Sequence, residues 1–297
     1  MRKILILKDN YNSFEQFYID QFNDLGFNCQ YYYNSSRSIR KFFTHFGLPF
    51  EHMFYGKWKK NIKGYDIIIV FDSLHTSNLL KYIKSNTRAR IIYWHWNPVK
   101  TKKDINIFRE TNTFCEHWTF NPADSDRFGM KLNNQFFFFQ NKINTAKYNQ
   151  AFFVGTDKGR YNTLLDIANQ IKYFQIKDDF YVIDEIKKGC YYQKEYMDYS
   201  DVIEKLKTSK FVVEIVQDGQ SGLTARTLEA MFFNAKLITN NVSVKECSFY
   251  NPNNIFVLGD EDFQSFLSTP FEAISKEKLF DYSAQGWISD FCKGEEQ

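Results

Sequence analysis

Phe211-Val212-Val213-Glu214-Ile215-Val216-Gln217-Asp218-Gly219-Gln220-Ser221-Gly222-Leu223-Thr224-Ala225-Arg226-Thr227-Leu228-Glu229-Ala230 is the stretch whose reading decides the fold. Residues 211–216 form a short apolar run of strand length, 217–222 a polar loop with two glycines, and 223–233 a helical pattern. A strand that passes through such a turn into a helix brings free backbone N–H groups and a positive helix end to the carboxyl edge of a sheet. That arrangement suits a phosphate or diphosphate. Glu229 falls on the second turn of the helix, where a carboxylate can accept hydrogen bonds from a ribose diol. Strand–Gly–helix turns also occur as plain structure, so the stretch alone leaves both readings open.

Upstream, Phe153-Val154-Gly155-Thr156-Asp157-Lys158-Gly159-Arg160 again follows an apolar run and sets two cations beside two glycines. The glycines allow close backbone approach. Lys158 and Arg160 can neutralise a leaving diphosphate, the guanidinium holding two oxygens at once. Two anion-suited loops on neighbouring strands of one sheet reinforce each other.

The same alternation of short apolar runs and helical patterns extends through the whole chain, the form of a parallel α/β sheet. In the first half, strands are expected at 3–7, 28–33, 65–71, 90–94 and 118–120, with helices at 13–25, 76–85 and 121–130. In the second half, strands are expected at 151–154, 180–183, 211–216, 236–239 and 255–258, with helices at 161–173, 198–208 and 223–233. The polar, aperiodic stretch 141–150 is the linker candidate. The expected fold class is therefore α/β, with two Rossmann-like domains facing each other across a crevice. The N-terminal domain covers 1–145 and the C-terminal domain 146–297, the last helices being free to pack back on the N-terminal domain. Ligands of open parallel sheets bind beyond the carboxyl ends of the strands, so residues just after strands become the site candidates.

Charge follows the same division. Residues 1–150 hold 22 Lys/Arg against 12 Asp/Glu, and 151–297 hold 16 against 23, within an overall net charge of +3. The basic half favours an anionic surface or acceptor. A hydrophobic fraction of 43% and a charged fraction of 25% exclude a disordered chain. The aromatic surplus, 32 Phe and 19 Tyr, is mostly core in a chain this long. Five scattered cysteines without Cys-x-x-Cys point away from zinc sites and disulfide frameworks and toward a reducing cytoplasm. Ile4–Leu7 is too short for a signal-peptide core, and no apolar run reaches membrane-spanning length.

With these residues in place, Val154-Gly155-x-x-Lys158-Gly159-Arg160 and Ser221-Gly222-Leu223-Thr224-x-Arg226-Thr227-Leu228-Glu229-Ala230 resemble GT-B glycosyltransferases of bacterial lipopolysaccharide and capsular polysaccharide biosynthesis. Phe120-Asn121-Pro122-x-Asp124 and Trp96-Asn97-Pro98 resemble that family's N-terminal half. The resemblance implies a nucleotide-sugar donor, a UDP-sugar first among them, held by the C-terminal domain through Gly155, Lys158, Arg160, Gln220, Ser221, Gly222, Thr224 and Arg226, with Glu229 on the ribose. It implies a surface-polysaccharide or lipid-linked glycan as acceptor, and no cofactor or metal. Many retaining members carry two glutamates eight positions apart at this helix. Here Ser221 stands where the first would be, so inversion is the expected outcome.

Inversion needs a general base near the acceptor hydroxyl, expected from the N-terminal domain. Asp72 is the leading candidate, followed by Asp9 and His95, all placed just after strands; His75 lies one turn beyond Asp72. Asp124-Ser125-Asp126 imitates a metal-binding Asp-x-Asp but opens a helix, so capping is the better reading. Between residues 37 and 60, Arg37, Arg40, Lys41, Lys57, Lys59 and Lys60 interleave with Phe42, Phe43, Phe46, Phe50, Phe54, Tyr55 and Trp58. This segment reads either as a surface that dips rings into an anionic membrane, giving peripheral association, or as an aromatic core helix with a charged outer face. A nucleotide-sugar epimerase of the same fold would need a His around the donor, and the second half contains none. A non-catalytic, nucleotide-sugar-binding partner of another transferase is the remaining alternative. Nucleic acid is not an expected partner, because the basic runs match no recognition module and the second half is acidic.

Overall fold

β1 (Ile4–Lys8) lies between β2 (Asn28–Tyr31) and β3 (Ile67–Phe71), parallel to both, with Leu7 opposite Gln30 on one side and Val70 on the other. All five residues of β3 are buried, which is what a parallel strand covered on both faces requires. The sheet continues through β4 (Arg90–His95), β5 (Glu116–Thr119) and β6 (Lys131–Leu132), in the order β2-β1-β3-β4-β5-β6. The helix Ser13–Asp24 leads from β1 to β2, and the chain then crosses to β3 on the other side of β1. The order therefore reverses between β1 and β3, the switch point of a flavodoxin-like sheet.

The second sheet contains β7 (Tyr148–Thr156), β8 (Lys177–Ile183), β9 (Tyr192–Gln193), β10 (Ser209–Glu214), β11 (Lys236–Thr239) and β12 (Ile255–Val257). Its order is β12-β11-β10-β7-β8-β9, every pairing parallel. Counted within this half alone, that is the Rossmann order 3-2-1-4-5-6, with its switch point between β7 and β10. These positions come from a computed structural model, which describes residues 2–9, 12–34, 51–72, 77–140, 146–217 and 222–293. Among the described residues, no helix is long and apolar enough to cross a membrane.

The chain divides into two compact units, Met1–Asn133 and Asn134–Gln297. Residues 134–140 thus belong to the second unit, ahead of the 141–150 stretch read as the linker. The reason is hydrophobic. Phe136, Phe137 and Phe138 are fully buried; Phe136 stacks on Trp287 at 4.3 Å between centroids, and Phe137 meets Phe232 and Phe233. A backbone bridge joins Phe137 to Ser283. The final helix, Ala284–Cys292, consequently packs on a segment that the sequence reading had given to the first domain.

Two features differ from expectation. The helix Lys102–Thr111 was not anticipated, although Thr101 and Asp104 form a reciprocal capping box at its start. The segment read either as a membrane-docking surface or as an aromatic core helix resolves, over its described residues, into short 3-10 turns, Glu51–Phe54 and Lys57–Gly64. Tyr55 and Trp58 are buried in the core, stacked on each other, and the Trp58 indole N–H donates to the Tyr32 carbonyl. Phe54 is half-buried, and Lys59 caps the carbonyls of His52 and Met53. None of these three rings is free to enter a bilayer; residues 37–50 of that reading lie outside the described residues.

Removing a fully buried ring leaves a cavity that neighbours only partly refill. Phe136→Ala is expected to cost about 3–5 kcal/mol. Hydrogen-exchange mass spectrometry should show protection falling in β7, β10 and β11 and unchanged in β1, β3 and β4.

Candidate active site

At the β1/β3 switch point, a cavity of about 390 Å³ opens over the carboxyl ends of β1, β3 and β4. Lys8, Glu15, Asp72, His95, Trp96 and Asp104 are among its lining residues. Asp72 follows the last residue of β3 and is 8% exposed. Its Oδ2 accepts the Asn97 N–H at 3.2 Å, while Oδ1 is buried with no hydrogen-bond partner. Burial pushes the Asp72 carboxyl up to about 7; the backbone N–H groups of Asn97 and Trp96 and the charge of Lys8 pull the other way. A carboxylate with that poise and an unused oxygen can take a proton from a hydroxyl near neutral pH.

His95 ends β4 and is 2% exposed. Its Nε2 lies 2.9 Å from His117 Nδ1, and His117 Nε2 lies 2.9 Å from the Thr111 hydroxyl. That hydroxyl donates its proton to the Ile107 carbonyl at 2.6 Å, so it can only accept from His117. The direction of the chain follows: His117 donates through Nε2 and accepts at Nδ1, and His95 donates through Nε2. Burial, with His117 beside it, lowers His95 to about 3, and burial lowers His117 to about 4. The pair is neutral at physiological pH and belongs to the core. Only Nδ1 of His95 remains to accept a hydrogen bond. Asp9 is buried and does not line the cavity. His75 lies outside the described residues.

Lys8, which lines this cavity, was not anticipated. Lys8 is 1% exposed, pairs with Glu15 at 2.7 Å, and sits over the ring of Phe71 at 3.8 Å. No sequence pattern distinguishes it from a surface lysine ending a strand. Asp124 neither caps nor faces a ligand: its Oδ2 accepts from the Val99 N–H and the Asn121 amide, tying the segment after β4 to the segment after β5.

In the second unit, the turn after β7 runs Asp157-Lys158-Gly159-Arg160. Lys158 has φ +45° and Gly159 φ +85°, and the Arg160 N–H donates to the Asp157 carbonyl at 2.9 Å. Both central residues at positive φ give the type I′ pattern, which glycine favours and lysine tolerates at a cost. Asp157 anchors the turn through the Tyr161 N–H, the Tyr192 hydroxyl and Lys187. Lys158 is exposed. A Cβ at Gly155 would lie 3.3 Å from Arg160 Nη1, so the glycine leaves room for that side chain. Nε of Arg160 is buried without a hydrogen-bond partner.

Across the β7/β10 switch point, Glu214 ends β10 and is 3% exposed. It accepts the hydroxyls of Thr224, Thr227 at 2.7 Å and Thr239 at 2.6 Å. Thr224 is the N-cap of the helix Ala225–Phe232, accepting from the Arg226 N–H at 3.0 Å. The Gly222 carbonyl accepts from Asn241. Glu229, assigned from sequence to a ribose, is 2% exposed; one oxygen accepts from the Tyr199 hydroxyl and the other pairs with Arg226 at 2.7 Å. Gln220 and Ser221 lie outside the described residues. Sequence reading missed Glu214 because a glutamate ending a strand carries no signal until its three threonines converge.

Among the described residues, no three His, Cys, Asp or Glu side chains are grouped as metal ligands. No family model and no curated protein matches the chain. Solved structures do match. HepE of Anabaena, solved with UDP-glucose, aligns over 98% of this chain and 99% of its own at 10% identity and a TM-score of 0.56. A glycosyltransferase from Rickettsia africae aligns over 98% and 96% at 8% identity and 0.51. Sucrose-phosphate synthase from Thermosynechococcus elongatus aligns over 99% and 92% at 9% identity and 0.50. The fold is that of the GT-B glycosyltransferases. At these identities the likeness is one of fold.

The poise of Asp72 carries a stability signature. An unfolded aspartate ionises near 4, whereas folded Asp72 does so near 7, so its contribution is fully present below about 4 and lost as pH rises through about 7. Asp72→Asn should therefore leave Tm nearly unchanged at pH 4 and raise it by roughly 5 °C at pH 8.5. Equal Tm values for the two proteins at pH 8.5, by scanning calorimetry, would show that Asp72 is not held neutral by burial.

Proposed function

We propose that the chain is a glycosyltransferase that moves a sugar from a nucleotide-sugar donor, a UDP-sugar first among the candidates, to a hydroxyl of a surface-polysaccharide or lipid-linked glycan. The observation that carries this reading is Asp72, a buried carboxylate poised near neutrality with one unused oxygen in a cavity at a switch point of a GT-B fold. Asp72 takes the proton of the acceptor hydroxyl, and the freed oxygen forms a bond to the anomeric carbon from the face opposite the leaving group. The bond from that carbon to the diphosphate oxygen breaks, and the nucleotide departs with the electron pair. One displacement inverts the anomeric configuration.

The departing charge is met by Arg160, with its unused Nε–H, by exposed Lys158, and by the helix end capped at Thr224. Gln220, Ser221 and Gly222 belong to the same loop and are proposed donor contacts, as the resemblance implies. Glu229 serves by bracing Arg226. No metal is assigned to the step, since loop cations and a helix end can supply the charge.

In this reading the acceptor hydroxyl enters the cavity beside Asp72. Lys8 is spent on Glu15, and one oxygen of Asp104 on the backbone N–H groups of Lys100 and Thr101. A hydroxyl that enters beside Asp72 would meet a carboxyl able to take its proton. The surplus basic charge of the first unit lies elsewhere; the exposed Lys57, Lys60 and Lys63 suit an electrostatic approach to an anionic membrane without ring insertion.

Thermal-shift measurements against UDP-, GDP-, dTDP- and CMP-sugars should raise Tm with one nucleotide class. Arg160→Ala and Lys158→Ala should each reduce that rise. No shift with any of the four overturns the donor reading. With an acceptor in hand, Asp72→Asn should lower transfer at least 100-fold and leave the donor-induced shift intact. Because the base must be ionised, wild-type kcat/KM should fall as pH drops below about 7. Turnover should survive EDTA; loss restored by Mg²⁺ or Mn²⁺ would contradict the metal-free step.

A further inference from the structure

The least expected group in the cavity is Lys8. A lysine buried to 1% exposure is costly, and a buried ion pair often gains nothing over apolar residues of similar size. Its surroundings show what it is positioned to do. The ammonium pairs with Glu15 at 2.7 Å and lies 3.8, 4.9 and 5.3 Å from the ring centroids of Phe71, Trp96 and Tyr18. Those rings also pack on one another, Phe71 to Trp96 at 5.5 Å and Tyr18 to Trp96 at 5.1 Å.

Two of the three rings occupy telling positions. Phe71 immediately precedes Asp72, and Trp96 immediately precedes Asn97, whose N–H holds Asp72 Oδ2. The cation therefore sits between the backbone segment that carries the carboxylate and the segment that orients it. Cation–π attraction draws both rings to one point charge. Glu15, itself fixed at the start of a helix by the Asn12 cap, anchors that charge from a third element.

We propose that Lys8, held by Glu15 and the Phe71–Trp96–Tyr18 box, is the positioning residue of Asp72: it fixes the Phe71–Asp72 and Trp96–Asn97 segments against each other and keeps a positive charge beside the carboxylate. This rests on the reading of Asp72 as the reactive group. Among the described residues, the charged and titratable groups that line the cavity with Asp72 or act on it are Lys8 from β1, Glu15 from the first helix, and Tyr93 and neutral His95 from β4. Lys100 and Asp104 come from the segment that follows β4. Of these, Lys8 favours ionised Asp72 and Asp104 opposes it.

The Asp72 carboxyl can be followed without an acceptor, by carbon-13 NMR of protein labelled at aspartate Cγ, its resonance assigned by its loss in Asp72→Asn. Lys8→Met should raise the Asp72 titration midpoint by about 0.5–1 pH unit, and Glu15→Gln, which leaves the cation uncompensated, should lower it by a similar amount. A role in packing alone would move neither. Lys8→Met/Glu15→Gln removes both buried charges, so it preserves a folded protein if Lys8→Met alone does not, and it should shift the midpoint upward. Midpoints within 0.2 unit of wild type, or shifts of the same sign in both single variants, overturn the proposal. Failure of the base reading is seen separately, as full transfer activity in Asp72→Asn.

Discussion

A parallel strand buried on both faces can carry a polar side chain only where a partner satisfies it, and this constraint organises both halves of the molecule. Every residue of β3 is buried, and β1 is buried from its second residue to its last. Polar groups gather where the hydrogen-bond ladder ends, and those buried inside a strand are paired, as His117 in β5 is with Thr111 and Asp179 in β8 with Lys205. Lys8 and His95 are last residues of β1 and β4, and Asp72 follows β3. In the second sheet, Glu214 and Thr239 end β10 and β11, and Asp157 follows β7. Buried polar groups are thus concentrated at the carboxyl edges of the two sheets, where the loops supply their partners.

The two edges use that position differently. In the second unit the buried acids are satisfied internally: Glu214 holds three threonine hydroxyls, Asp157 holds a backbone N–H, a tyrosine and a lysine, and Glu229 holds Tyr199 and Arg226. These acids tie loops and helices together, while Nε of Arg160 lacks a hydrogen-bond partner. In the first unit the arrangement is reversed. The cation Lys8 is consumed by Glu15 and aromatic rings, while Oδ1 of Asp72 lacks a hydrogen-bond partner.

Much of the fold was legible in the sequence. Apolar runs such as Ile67–Phe71 and the 3.6-residue pattern of the helix Tyr161–Lys172 are local signals, because burial on both faces or on one face prints a period directly on the chain. The helix Lys102–Thr111 escaped because its apolar positions are few, although Thr101 and Asp104 announced its start. Phe136–Phe138 could be seen as apolar but not assigned to a unit, since which core receives them depends on Trp287 and Phe232, far along the chain. The basic, aromatic segment was ambiguous for a similar reason: Tyr55 and Trp58 have the composition of membrane-seeking rings, and only their burial against Tyr32 and Tyr82 decides otherwise.

The sequence by itself determined the alternation of strands and helices, the two-sheet architecture, and the loops at which function gathers, because each follows from hydrophobic period and turn chemistry between near neighbours. It also singled out Asp72 and Arg160 by their places after strands. Only the tertiary structure decided what state those residues are in. The poise of Asp72, the neutrality of the His95–His117 pair, the closing of Glu229 onto Arg226 and the enclosure of Lys8 all arise from desolvation and from partners distant in the chain. Desolvation is a property of the packed volume around a group, and no local pattern of residues encodes it.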